Sequence, residues 1–118
     1  MKDDIVLKLF DQWNTALKTQ DPHQVLTCYA SKSILLPTLS NQVCDTFEKK
    51  LAYFQSFCQK GPVGTIDVSY SRQYGDIVIH SGIYTFAFND QSEATARFTY
   101  VYQDSLIIEH HSSLLPEN

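Results

Sequence analysis

The sequence is poor in cysteine and in glycine. It has three cysteines, Cys28, Cys44 and Cys58, and only four glycines among 118 residues. The odd number of cysteines and the lack of a CxxC pair argue against a disulfide framework and a zinc knuckle, so we expect free thiols in a reducing compartment. The few glycines form no GxGxxG or P-loop arrangement, and this leaves little room for a phosphate cradle.

Positive charge is also scarce. The net charge is −4 and the only arginines are Arg72 and Arg97. Nucleic-acid binding needs a basic stripe that displaces counterions, and the one basic pair, Lys49-Lys50, is interpreted as the solvated side of a helix. No apolar run approaches the roughly 18–20 residues that cross a bilayer, and the N-terminal stretch does not resemble a signal peptide. We expect a cytoplasmic protein that binds neither nucleic acid nor membrane.

Apolar residues are plentiful enough to build one core. Hydrophobic residues make up 43% of the sequence and aromatic residues 13%, and the length is near the commonest size of one domain. No repeat, linker or low-complexity segment interrupts the chain. We therefore predict a single domain over residues 1–118.

The first half of the chain has helical periodicity. A helix is predicted over residues 3–19, capped by Asp3 or Asp4, with one apolar face made of Ile5, Val6, Leu9, Phe10, Trp13, Ala16 and Leu17. A capping box at Asp21 opens a short helix that runs to about residue 29. Residues 33–36 form a short strand, and a second capping box at 45–48 opens a helix that runs to about residue 59.

The second half has strand composition with turn signals between the segments. Four strands are predicted, over residues 66–73, 76–88, 94–103 and 105–114. Consecutive strands with short turns form an antiparallel meander, and helices that precede a meander pack on one of its faces. The predicted class is α+β, a cone-shaped curved antiparallel sheet packed with N-terminal helices.

Both faces of this sheet carry apolar residues, although a sheet covered on one face should alternate. The predicted inner face of the second strand and of the last is Val78, His80, Gly82, Tyr84, Phe86, Phe88, Ile108, His110 and Ser112. A second copy of the chain is the simplest cover for the outer face. The predicted interface consists of Ile79, Ile83, Arg97, Val101, Ile107 and Glu109. The alternative is a strongly coiled sheet whose far face is merely mixed.

Two charged residues of the predicted outer face, Arg97 and Glu109, lie on adjacent strands. We expect them to form a cross-strand ion pair, which would help to fix the register of a subunit interface.

The aromatic inner face suits a pocket for a small organic ligand, because helices laid on a bent sheet leave a cone. The predicted lining is Trp13, Tyr29, Tyr53, Phe54, Tyr84, Phe98, Tyr100, His110 and Ser112. The alternative is that these aromatic side chains fill the core themselves.

The inner-face histidine is the candidate catalytic group. The ordinary pKa of a histidine is near neutrality, so His110 could act as general acid or base; the alternative is a structural hydrogen bond. His110 and His111 point to opposite faces of their strand and cannot easily share an ion. We therefore expect no metal site and no cofactor.

Several stretches resemble a known family in their order along the chain. They are residues 13–17, 21–30, 35–41 (LLPTLSN), 82–86, 96–102 and 107–113 (IIEHHSS). The chain resembles the association (hub) domain of calcium/calmodulin-dependent protein kinase II, in its stand-alone bacterial form, within the nuclear transport factor 2-like, cystatin-like superfamily. The resemblance implies an α+β cone and self-assembly into dimers or larger rings.

One departure from that family concerns the deep pocket of the kinase hubs, which is lined by arginines. The corresponding positions here are Tyr84, Tyr100 and Ser112, so the arginine fork is absent. We expect a homo-oligomerising hub-like domain, a homodimer or larger ring, whose aromatic pocket binds a small molecule or partner. The alternative is a small isomerase-, cyclase- or hydrolase-type enzyme that uses His110 as acid or base.

Overall fold

The computed structural model describes residues 2–116. Within them the chain forms three helices and five strands. The helices are α1 (Lys2–Lys18), α2 (Pro22–Leu26) and α3 (Phe47–Gln59). The strands are β1 (Tyr29–Leu36), β2 (Val63–Tyr74), β3 (Ile77–Ala87), β4 (Glu93–Gln103) and β5 (Leu106–Leu114).

The five strands form one sheet in the order β1-β5-β4-β3-β2. Strands β2 to β5 are the predicted antiparallel meander, and β1 adds to its end by pairing in parallel with β5. The predicted α+β class is confirmed. Strand β1 begins at Tyr29, where a helix was predicted to end, because its hydrogen bonds to β5 come from a segment far away in the sequence and carry no local signal.

Helix α1 packs its apolar stripe against the sheet. Val6, Phe10, Trp13 and Leu17 are buried, whereas Ile5 is 47% exposed. The buried stripe therefore runs along positions i, i+4, i+7 and i+11, starting at Val6. Ile5, which was predicted to belong to it, lies outside it. The helix begins at Lys2, so the expected capping residues Asp3 and Asp4 lie inside its first turn.

The two predicted capping boxes are only half formed. Asp21 caps α2 by accepting a hydrogen bond from the backbone N–H of His23 (2.9 Å), but its own N–H donates to Thr19 Oγ1. The cap of α3 is Thr46, whose hydroxyl accepts from the backbone N–H of Lys49 (3.2 Å). A single side-chain acceptor therefore starts each helix.

A bulge in β5 changes which side chains enter the core. Val101 pairs with Glu109 but Tyr102 pairs with Ile107, so Ile108 is an extra residue. Ile107 consequently turns inward and is completely buried, although it was expected on the outer face. Its place in the predicted interface is wrong, because its side chain cannot reach a partner, and Ile108 loses its predicted inward position.

The core lies between the helices and the inner face of the sheet, and aromatic rings dominate it. Gly82 lies where β2 coils closely over β3: a Cβ there would stand 1.8 Å from the carbonyl oxygen of Val68. This close approach follows the bulge between Ile66 and Val68 in β2. The glycine therefore permits the coiling that closes the sheet into a cone.

Candidate functional site

The imidazole of His110 lies at the centre of the cone. Strand β5 directs it inward beside its cross-strand neighbour Tyr100, whose ring stacks on it with 4.1 Å between ring centroids. The indole of Trp13 meets the imidazole edge-on from α1 at 5.6 Å. The neighbouring His111 points to the opposite face and is exposed, as the alternation of a strand requires.

Both nitrogens of His110 are hydrogen-bonded to tyrosine hydroxyls. Nδ1 lies 2.8 Å from Tyr29 Oη and Nε2 lies 3.1 Å from Tyr84 Oη. Trp13 Nε1 donates to Tyr29 Oη (3.1 Å), and the Tyr84 hydroxyl bonds to the side chains of Ser112 and Thr38.

These partners determine the direction of the hydrogen bonds. Tyr29 already accepts from Trp13, so its own hydrogen is satisfied when it donates to Nδ1 of His110. Nε2–H of His110 then donates to Tyr84. The opposite tautomer would leave the Tyr29 hydrogen without an acceptor in this chain of bonds. The site is thus a chain of hydrogen bonds between neutral side chains.

Burial keeps the side chains of this hydrogen-bond chain uncharged. It lowers the pKa of His110 to about 3, with a smaller contribution from His111. Burial likewise raises the pKa of the Tyr29, Tyr84 and Tyr100 hydroxyls above their ordinary value. A general acid or base works best with a pKa near the operating pH, so the electrostatics of the cone do not support catalysis by His110.

The aromatic side chains occupy the cone. The space left at its centre is about 10 Å³, which is room for a single water at most. Six of the predicted pocket residues line this space: Trp13, Tyr53, Phe54, Tyr84, His110 and Ser112. The other three, Tyr29, Phe98 and Tyr100, belong to the same aromatic cluster. The structure brings all nine together, with the cone packed as the alternative interpretation expects.

A larger cleft, which the sequence analysis missed, lies outside the cone. It has a volume of about 460 Å³ between the segment 39–44 and α3. Tyr53 and Phe57, stacked with 5.5 Å between centroids, line both the cleft and the cone. Their i, i+4 spacing on α3 was the available signal, because such a pair forms one wall.

The lysine pair of α3 does not lie on a solvated face. Lys50 is 2% exposed, and its ammonium group donates to the backbone oxygen (3.0 Å) and the hydroxyl (2.6 Å) of Ser33. Burial lowers the pKa of Lys50. Only Lys49 is exposed, where it pairs with Asp45 at 3.2 Å. Lys49 therefore faces solvent, whereas Lys50 lies between α3 and β1.

The thiols offer no reactive group. Cys28, Cys44 and Cys58 are all free. Burial raises the pKa of each, that of Cys58 to about 11, so the nucleophilic thiolate is disfavoured.

The outer face of the sheet is apolar and only partly covered. Ile79, Ile83 and Val101 are half-buried there, and the register places Tyr70 and Tyr74 of β2 on the same face, 63% and 64% exposed. The sequence analysis did not find these tyrosines, since β2 was predicted without a face assignment. With Val68 of β2, which pairs with Ile83 and is 37% exposed, at least six large apolar side chains share this accessible surface.

The expected ion pair between Arg97 and Glu109 is wrong for a single chain. Arg97 stands opposite Ser113, and Glu109 stands opposite Val101, four positions further along β4. Within residues 2–116 the ion pairs are Lys49 with Asp45 and His23 with Asp21. Arg97 and Glu109 both project from the outer face as exposed charges.

Solved structures share this curved sheet with its three helices. A nuclear transport factor 2-like superfamily protein of Salmonella enterica superposes with a TM-score of 0.79 over 99% of this chain and 92% of its own, at 12% identity. A protein of Nostoc punctiforme with a cystatin-like fold gives 0.77 over 95% and 90%, at 12% identity. The fold is thus that of the nuclear transport factor 2-like, cystatin-like class.

The family is narrower than the fold. The sequence model of the calcium/calmodulin dependent protein kinase II association domain matches residues 2–116. A Xanthomonas campestris protein assigned by name to these association domains is 42% identical, with a TM-score of 0.89 over 96% of this chain and 87% of its own. The chain therefore belongs to the calcium/calmodulin dependent protein kinase II association domain family. No curated protein matches it. In the described residues no helix is long and apolar enough to span a membrane.

Proposed function

We propose that this chain is a homo-oligomerising association domain that binds a second copy of itself through the outer face of its sheet. The observation that carries this proposal is the apolar outer surface. Ile79, Ile83 and Val101 are half-buried along its centre, and two exposed tyrosines, Tyr70 and Tyr74, flank them. The core-forming helices pack on the other face, so this apolar surface needs a partner of its own.

Membership of the association domain family supports self-assembly, since association domains generally self-assemble. A second copy also fits the chemistry of the surface. Aliphatic and tyrosine side chains dominate the centres of protein interfaces, and charged residues lie at the rims. Here the aliphatic centre is accompanied by the exposed charges Arg97 and Glu109.

Binding of a small molecule is a second candidate, and one observation favours it. The cleft of about 460 Å³ falls within the size range of ligand sites. The Tyr53–Phe57 pair lines both this cleft and the cone, so a ligand in the cleft would contact side chains of the core. A co-purified small molecule in native mass spectra would support this candidate. We propose no reaction, since both His110 nitrogens are engaged.

Replacement of Ile83 by glutamate tests self-association. The wild-type protein is expected to be a dimer or larger assembly in native mass spectrometry and light scattering. The Ile83→Glu variant should dissociate by at least one order of magnitude more readily, because it places a charge in the apolar centre. The control is Ile5→Glu on α1, an isoleucine that is exposed and lies away from the outer face, and this variant should assemble like wild type. A wild-type monomer at micromolar concentration would contradict the proposal.

A further inference from the structure

Two opposite charges of the outer face take part in no ion pair within residues 2–116. Arg97 and Glu109 are both exposed and lie on adjacent strands, four residues out of register. This offset corresponds to about 13 Å along the strands and about 4.8 Å across them. The two side chains are thus too far apart to pair with each other, yet they share a surface that lacks a cover.

A two-fold symmetric contact can satisfy both charges at once. In such an isologous interface, if residue i of one copy meets residue j of the other, then j also meets i. We propose, building on the self-association proposed above, that two copies pack outer face to outer face so that Arg97 of each pairs with Glu109 of the partner subunit. The axis then lies between the sheets and passes midway between the two residues, where Thr99 faces His111 across β4 and β5.

The proposed pairing also fixes the packing angle of the two sheets. A line from Arg97 to Glu109 makes an angle of about 20° with the strands, given the spacings of a sheet. A two-fold axis perpendicular to this line sets the partner's strands about 40° from antiparallel. Aligned face-to-face sheets keep their strand directions within about 30° of each other, so this packing is somewhat more crossed than the aligned class.

The same axis also matches the aliphatic residues. Ile83 is the β3 neighbour of Arg97, and Val101 is the β4 neighbour of Glu109. A two-fold rotation reflects positions across its axis, and with the spacings of a flat sheet it brings Ile83 to within about 3 Å of the position over Val101 of the partner subunit. An aliphatic contact therefore lies beside the charge pair, as a specific interface requires.

Charge reversal tests this arrangement, with mixing of variants as the decisive step. In Arg97→Glu homodimers two glutamates face each other twice, and in Glu109→Arg homodimers two arginines do. Each variant alone should therefore dissociate at least about tenfold more readily than wild type. A one-to-one mixture restores both opposite pairs in the heterodimer. We expect the heterodimer to dominate native mass spectra, where the variants are distinguished by mass.

The controls separate the failure of this inference from the failure of self-association. Lys8→Glu and Glu48→Arg reverse exposed charges on α1 and α3 and should leave assembly unchanged, with circular dichroism confirming that all variants fold. A wild-type monomer would overturn both proposals. A wild-type dimer whose single variants dissociate normally, or whose mixture shows no enrichment of heterodimer, would overturn only the pairing of Arg97 with Glu109 of the partner subunit.

Discussion

At the scale of single residues, two buried titratable side chains have hydrogen-bond partners, whereas the buried hydroxyls of Tyr100 and Tyr102 have none among the described residues. His110 bonds to two tyrosines, and Lys50 bonds twice to Ser33. A buried polar group left without a partner costs about 1–3 kcal/mol. The side chains of His110 and Lys50 can therefore be buried without this cost only because these hydrogen bonds form. They explain why a histidine and a lysine can lie in a region filled by aromatic rings.

Acid should destabilise the protein through His110. The folded-state pKa is about 3 and the ordinary histidine value is about 6.5, so the unfolded chain binds a proton that the folded chain does not. The stabilisation from keeping His110 neutral is complete above about pH 6.5 and is lost as the pH falls toward 3. The expected contribution is about 1.4 kcal/mol per pH unit, measured by urea unfolding at several pH values.

The matched variant for this measurement is His110→Gln, which keeps hydrogen-bonding groups but cannot titrate in this range. Its free energy of unfolding should be lower than that of wild type at neutral pH. Between about pH 3 and pH 6.5 that free energy should change less steeply with pH, by the amount that corresponds to the uptake of one proton on unfolding. An unchanged slope in this variant would show that His110 does not carry the effect.

At the scale of elements, α3 is held on β1 by a side chain that local sequence would place in water. Lys49 and Lys50 are adjacent, yet the helix turns one outward and the other between α3 and β1. Which of the two enters depends on the aromatic face formed by Phe54 and Phe57, four and seven residues beyond Lys50. Once the buried face of α3 is known, helical periodicity identifies Lys50 as the lysine that points inward.

The two lysines should differ sharply when each is replaced by alanine. Lys50→Ala leaves the oxygen atoms of Ser33 without a donor and removes buried methylene groups, so a loss of about 2–3 kcal/mol is expected. Lys49→Ala removes only an exposed pair with Asp45 and should cost less than about 0.5 kcal/mol. Urea denaturation of both variants measures the difference, and equal losses would contradict the role assigned to Lys50.

At the scale of the whole molecule, one face of the sheet packs against the helices, and the other is the face that we propose for association. The inner face carries rings that fill the cone down to about 10 Å³. The outer face carries Ile79, Ile83 and Val101, only half-buried by their own chain. The division explains how one small sheet can be apolar on both sides and still fold around a single core.

Thermal stability should therefore depend on protein concentration. If folded subunits associate and unfolded chains do not, mass action raises the melting temperature as concentration increases. We expect a rise for the wild-type protein and none for Ile83→Glu, measured by calorimetry over a hundredfold concentration range. A melting temperature of the wild type that stays constant over this range would contradict association coupled to folding.

The sequence by itself determined the features that depend on local periodicity and composition. The apolar stripe of α1, the cap at Asp21, the strand meander and the aromatic inner face could all be predicted, because 3.6- and two-residue repeats are written directly into the chain. Six stretches in order along the chain carried the family resemblance, and 35–41 and 107–113 were the more specific of them. Five residues of the cone followed from strand parity, which is correct along β3 and β4 and in β5 beyond the bulge, and the other four were predicted from the helical segments.

Only the tertiary structure decided the features that depend on contacts between distant segments. The bulge at Ile108 buries Ile107, and its position is set by how β5 pairs with β4. The start of β1 at Tyr29 depends on pairing with β5, and the burial of Lys50 depends on where α3 lies on β1. The offset that separates Arg97 from Glu109 likewise belongs to the register between two strands. In each case the local sequence is compatible with more than one arrangement. Pairing or packing with a segment far away in the sequence determines which arrangement forms.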